Sequence, residues 1–276
     1  MNFREQLARA ARLAAAVAPE LRAAALYAEW YAPARRGTAP RLSPPVALAH
    51  YRAADANGLR FTSGWHPAGW DPSSGQSVVR RGGHTRAIHP IDYCAVGGQV
   101  SERMESTELA GWWAAFVPPA PEGEAAVRVY WAVQPEAVFR LIRTITEQMP
   151  QSARYAVKAP LDLHRCLRPD GVVLYLERHQ WNDLAAALHS IAECAAPWLH
   201  ASHPAFTLPL GPGISLAEDV PGESFGGQRC RWLAEAFTNH TDESAMRAAA
   251  LSLLEQRGVS LETPYRNPGS QQEYPW

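Results

Sequence analysis

The stretch SARYAVKAPLDLHRCLRPDGVVLYLE, residues 152–177, decides how the chain is read. ARYAVKA alternates apolar and polar residues, the period-2 pattern of a half-buried strand, and GVVLYLE is a continuous apolar run that reads as a central, buried strand. Helical patterns flank the pair. PEAVFRLIRTITEQM lies upstream, opened by Pro135 at a first helical position. WNDLAAALHSIAECAAPWL lies downstream, with Asn182 or Asp183 near its start.

Further out, WWAAFVPP and EAAVRVYWAV read as strands by their β-branched and aromatic content. AFTLPLGPGISLAED reads as strand, Gly/Pro turn and strand. ESFGGQRCRWLAEAFTN reads as a helix with two glycines in its first turn, and DESAMRAAALSLLEQRG as a terminal helix ending at Gly258. Residues 2–30 have the spacing of one or two helices, and PARRGTAPRLSPP (33–45) is a Pro-rich connection. A short helix, VALAHYRAADANG, stops at Gly58, and residues 59–102, rich in Gly, Pro and Trp, read as short strands and turns. Strands and helices do not alternate strictly, and neither a Gly-rich βαβ fingerprint nor an internal repeat occurs. The expectation is an α+β fold: a mixed or antiparallel sheet with flanking helices and an N-terminal helical extension. The expected division is extension and linker over 1–45, the α+β domain over 46–258, and a polar, loose tail over 259–276.

Composition excludes several function classes. The chain has 276 residues, 26 Lys+Arg against 27 Asp+Glu, and a net charge of −1. No general nucleic-acid or membrane surface is indicated. Hydrophobic content of 47% with 10 Trp marks a globular protein. Cys94, Cys166, Cys194 and Cys230 form no C-x-x-C pair, so buried reduced thiols are expected. The N-terminal apolar run LAAAVA is too short for a signal segment or a membrane span, and the protein is read as cytoplasmic. The spacing of His84, His89 and Asp92 is not a metal signature, and no hydrolase, Walker or kinase motif is present.

Lys158 is the only lysine, so the other 25 of the 26 cationic residues are arginine. Codon bias toward arginine is one explanation. The chemical one is that arginine stays charged, whereas a lysine that is buried or set beside other cations can lose its proton and act as a base. The surroundings suit an anion. Arg154, His164, Arg165 and Arg168 are near in sequence, and Arg128 lies on the preceding predicted strand. Arg229 and Arg231 follow Ser224-Phe225-Gly226-Gly227, a helix start that would present free backbone N–H groups. The plain alternatives are solvated surface arginines and an ordinary N-cap role for Ser224.

In order along the chain, RVYWAV, YAVKAP, RPDGVVLYLE, HPAFTLPLGPGISLAEDVP and ESFGGQRCRWLAEAF resemble segments of the HopA-type (Hrp outer protein A) family. GLRFTSGW and HPIDYCA are similar to its N-terminal half. The similarity spans roughly residues 48–240, and R-P-D-G-V-V-L-Y and S-F-G-x-x-R are its most specific parts. The family contains a bacterial type III effector. It also contains lyases of class V lanthipeptide and thioamitide pathways, which eliminate phosphate from Ser or Thr phosphorylated by a separate kinase. The compact length, without a visible secretion or chaperone-binding extension, is closer to the biosynthetic branch. The resemblance therefore implies a metal-independent phosphoserine/phosphothreonine lyase that leaves dehydroalanine or dehydrobutyrine in a precursor peptide, with no cofactor. Its partners would be that phosphorylated peptide and the kinase. Chemistry then assigns Lys158 as base and His164 as candidate acid. Arg128, Arg168, Arg229, Ser224 and Gly226 become phosphate contacts, and Asp170 orients an arginine. The alternative is a non-catalytic subunit that binds peptide or kinase, or an effector that acts by binding protein.

Overall fold

A computed structural model describes residues 2–57, 59–88, 90–117, 121 and 123–276. Gly58, His89 and the prolines that end WWAAFVPP lie outside the described residues. Helices α1 (Phe3–Ala15) and α2 (Arg22–Ala25) open the chain, and α2 runs on into a π-helical turn, Leu26–Tyr31. Asn2 and Glu5 close a capping box over the start of α1. Helix α3 (Pro44–Ala54) follows. Then come β1 (Leu59–Thr62), β2 (His66–Asp71), β3 (Gln76–Arg81), β4 (His84–Ile88), β5 (Tyr93–Cys94) and β6 (Gln99–Arg103). The central part comprises β7 (Glu105–Ser106), β8 (Trp112–Phe116), β9 (Ala126–Trp131), α4 (Val138–Gln148), β10 (Tyr155–Pro160) and β11 (Val172–Glu177). Helix α5 (Trp181–Ala195), β12 (Leu208–Gly211), β13 (Ile214–Glu218), α6 (Phe225–Phe237) and α7 (Glu243–Gln256) complete it.

The fold is α+β, and the sheet is antiparallel. Seven strands lie in the order β12-β13-β9-β11-β10-β8-β7, with β11, the apolar run of residues 172–177, in the middle. Two three-stranded sheets, β1-β6-β5 and β2-β3-β4, form a satellite before it. They enclose a small core of their own around Trp65, Val79, Ile88 and Val100.

The register sorts the two faces of the large sheet. Trp113, Val157, Leu174 and Val129 share one face. There Tyr51 of α3 stacks on Trp113 with ring centroids 4.8 Å apart and meets Phe139 of α4 edge-on. Helix α4 buries Val138, Leu141, Ile142 and Ile145, a stripe at helical spacing. Each such side chain contributes about 1.5–3 kcal/mol of burial. The other face carries Trp112, Lys158, Val173, Tyr175, Arg128 and Tyr130. The π-turn and the start of α6 cover it: Tyr31 packs on Phe225 at 6.3 Å.

Three expectations change. The N-terminal helices are part of the main core, with Leu7, Ala10, Leu26 and Trp30 buried in it. The tail is tied down rather than loose. Glu218, fully buried, accepts hydrogen bonds from the Asn267 backbone N (2.7 Å) and the Tyr274 hydroxyl (2.8 Å), and Tyr265 and Tyr274 are buried. Cys94 and Cys194 are exposed; only Cys166 and Cys230 are buried, and all four are free. Among the described residues no helix is long and apolar enough to cross a membrane, and no three His, Cys, Asp or Glu side chains group as metal ligands would.

Candidate active site

Lys158 sits at the fourth position of β10, where strand alternation turns it to the polar face of the sheet. It opens onto a cleft of about 600 Å³ shared with Arg128, Tyr175, Asp219, Glu223 and Ser224. Behind it lies a narrow inner pocket of about 40 Å³, reached by the same Lys158, Arg128, Tyr175 and Ser224 and closed by tyrosines of the π-turn and of β9. The Lys158 Nζ lies 4.4 Å from the Trp112 ring centroid, and the Arg165 guanidinium lies 5.4 Å from it. Burial pushes the Lys158 ammonium down to about 8, and Arg128 and Arg165 push the same way against Asp170 and Asp219. A substantial neutral fraction at neutral pH is what a lysine base requires.

Arg128 is buried beside it. Its guanidinium pairs with Asp219 and donates from Nη2 to the Glu223 carbonyl at 3.0 Å. Burial works against its charge, but Tyr130, Tyr175 and Asp219 outweigh that and hold it firmly protonated. Of its five N–H hydrogens, those on Nη1 have no partner among the described residues and are available to a ligand. Asp219 also accepts from the Gly123 backbone N at 2.9 Å, tying the strand-edge loop to the cleft.

Ser224 caps α6, its Oγ accepting from Gly227 N at 3.0 Å, so the plain N-cap role is realised. Its position on the cleft wall brings the first amides of α6 there too, and such amides lack carbonyl partners within their own helix. Gly226 has a packing reason to be glycine: an added Cβ would lie 2.1 Å from the Tyr31 ring.

Other assignments are not brought to this point. Arg229 is fully buried. Its Nη2 donates to the Arg266 carbonyl at 3.0 Å, and its guanidinium sits 4.6 Å and 4.7 Å from the Phe225 and Trp232 ring centroids. Burial pulls it down to about 10. It anchors the tail and lines neither cavity. Arg168 is clamped by Asp170 through two hydrogen bonds of 2.9 and 2.8 Å and lies over Tyr27. It too lines neither cavity, whereas Asp170, expected to orient an arginine, does hold it and reaches the inner pocket. His164 is exposed on the 3₁₀ turn Leu163–Leu167 and lines neither cavity.

Sequence reasoning missed Tyr27, Tyr31, Tyr130, Tyr175, Trp112 and Asp219. Alternation along RVY would have set Tyr130 on the face of Arg128. No local signal linked Tyr27 or Tyr31 to residues 100 positions away and more.

A family model, that of the HopA1 effector protein family, matches residues 105–266. The match begins after the satellite sheets, later than the resemblance suggested, and runs into the tail. No curated protein matches the chain. Among the solved structures that share its fold are two effector proteins. The effector protein from Pseudomonas syringae pv. tomato strain DC3000 is 15% identical, with a TM-score of 0.60, over 95% of this chain and 96% of that one. The effector protein from P. syringae pv. syringae strain 61 is 16% identical, with a TM-score of 0.61, over 96% of each.

Proposed function

The chain belongs to the HopA1 effector protein family, and on that premise we propose that it is a phosphoserine/phosphothreonine lyase. Its substrate would be a peptide phosphorylated by a separate kinase, as in class V lanthipeptide and thioamitide pathways. The observation that carries the reading is Lys158: one lysine in a chain of arginines, held in a cleft beside Arg128 with its pKa lowered to about 8. The neutral Nζ takes the Cα proton of the phosphorylated residue. The C–H electron pair becomes the Cα–Cβ double bond, the Cβ–O bond breaks, and phosphate leaves with its electrons. Arg128 Nη1 and the first amides of α6 face the charge that builds on the leaving group, and the exposed Arg165, which lies over the same Trp112 ring as Lys158, adds a positive field beside the cleft. Lys158 leaves the step as an ammonium, which Trp112 accommodates by a cation–π contact.

The test is incubation of the purified protein with a phosphothreonine peptide. The expected result is inorganic phosphate and a peptide lighter by the elements of phosphoric acid, unchanged by EDTA. Hydrolysis to the alcohol, or dependence on metal, refutes it. The second reading, protein binding without chemistry, follows from the description of both solved relatives as effector proteins. It expects peptide binding and no phosphate release.

A further inference from the structure

We propose that the inner pocket behind Lys158 is a tetrahedral-oxyanion site, which holds the phosphoryl group of a phosphomonoester through neutral hydroxyl donors, one of them supplied by the N-terminal helical segment. The proposal rests on the reading of the cleft as a phosphoester site and adds where the phosphate goes, what grips it and which part of the chain is needed.

Size comes first. A water needs roughly 10–15 Å³ of such space, so about 40 Å³ accepts about three oxygens. That matches the terminal oxygens of one phosphoryl group and is too small for a nucleotide. The peptide is left to the outer cleft of about 600 Å³, and Lys158 stands at the junction of the two.

Charge comes next. Arg128 is matched by Asp219, and Arg168 by Asp170. Both arginines are therefore matched in pairs. Lys158 is an ammonium in most molecules at pH 7 and attracts the anion, but in the reactive state it is neutral and adds no charge, so there the anion is held by dipoles and by the spare Nη1 hydrogens of Arg128.

The dipoles are present. Tyr31, Tyr130, Tyr175 and Ser224 all line the pocket. The Tyr130 hydroxyl is buried, and its one neighbour of this kind is the Tyr31 hydroxyl, close enough for the two to pair with each other; a phosphoryl oxygen would take the hydroxyl hydrogen that such a pair leaves over. The Ser224 oxygen accepts from Gly227 N, so its hydrogen is free to point inward. Burial raises the pKa of every one of the pocket tyrosines, so each keeps its proton as a donor at neutral pH. Tyr27 is already engaged with Asp170 at 3.2 Å and serves as wall. Tyr31 reaches the pocket because Gly226 lets its ring lie directly against the first turn of α6. The π-turn thus completes a site whose other walls come from β9, β10, β11 and α6. Such turns are frequent at functional sites.

The experiment is calorimetric titration of the full chain with inorganic phosphate and, separately, with a phosphothreonine peptide. Wild type is compared with Tyr130→Phe and Tyr31→Phe, which delete a hydroxyl and keep the ring. One phosphate should bind. Each variant should weaken both ligands by about tenfold or more, the usual worth of a hydrogen bond to a charged group. Equal proportional losses for the two ligands place the phosphoryl group, rather than the peptide, in the pocket. No phosphate binding by wild type at millimolar concentration overturns the proposal, and so does unchanged affinity in both variants. The lyase reading fails separately. Hydroxyl-dependent phosphate binding without elimination keeps the pocket and removes the lyase. Normal elimination in both variants does the reverse.

Discussion

Elimination should accelerate about tenfold per pH unit from pH 6 and level off at about pH 8, because Lys158 must shed its proton before it can accept another. The lowered pKa of Lys158 sets the scale. At pH 7 a lysine with its pKa lowered to about 8 is neutral in about one molecule in ten. One left at its ordinary value would be neutral in about 0.03%, so the site raises the supply of base about 300-fold. The assay is kcat/KM for a phosphothreonine peptide from pH 5.5 to 9.5, followed by phosphate release, because this quantity reports ionisations of the free enzyme. The substrate phosphate titrates near pH 6 and steepens the curve only below that. Two substitutions test the assignment. Arg165→Gln removes an exposed cation that lowers the Lys158 pKa, so the rising limb should move to higher pH. Lys158→Arg keeps the charge but not an accessible neutral form and should lose about two to four orders of magnitude. A flat profile or near-normal turnover in Lys158→Arg would each refute the base assignment, and a limb unmoved by Arg165→Gln would show that Arg165 has no part in lowering the Lys158 pKa.

Lys158→Met should raise the melting temperature at pH 7 while abolishing elimination. The folded pKa lies below the unfolded one, so stability from this group is present above the unfolded value, falls between about pH 10.5 and 8, and is absent at pH 7. Removing the buried ammonium should recover up to about 3 kcal/mol. Arg229→Ala should cost on the order of 3 kcal/mol in urea unfolding, through the cavity and the tail carbonyls it frees. It should alter phosphorylated and unphosphorylated peptide binding equally; a selective loss for the phosphopeptide would return it to the phosphate site. Glu218→Ala strips acceptors from Asn267, Ser270 and Tyr274 and should cost about 3–5 kcal/mol. Limited proteolysis should then cut first between residues 259 and 276, and protection equal to wild type would show that the tail is held by something else.

The tail and the arginines show where sequence patterns stop. Residues 259–276 look polar, yet they pack because Glu218 and Arg229 bury polar groups that tail residues satisfy, Asn267, Ser270 and Tyr274 on the one and the Pro264 and Arg266 carbonyls on the other. Arg229 could have been assigned correctly. It follows Phe225 by one helical turn and precedes Leu233 by another, so it lies on the buried stripe of α6. Its place in S-F-G-x-x-R outweighed that periodicity. Arg128 and Arg229 carry the same side chain, but one meets a cleft and the other meets carbonyls and rings, and motif spacing does not distinguish them.

The sequence by itself determined the local elements and the parity of the strands. Alternation in ARYAVKA turns Lys158 away from the apolar face, β11 is buried because every position of its run is compatible with burial, and Ser224 starts α6. These follow from interactions a few residues apart, or from a side-chain period the backbone imposes. Which cations converge was decided only by the tertiary structure. Pairing of β11 with both β9 and β10 sets Lys158 and Arg128, 30 positions apart, on the same face. Docking of the π-turn against Gly226 brings Tyr31 there from the far end of the chain. The lowered Lys158 pKa has the same origin: it comes from the burial and the neighbouring charges that those long-range contacts create, and none of these is present in the local sequence.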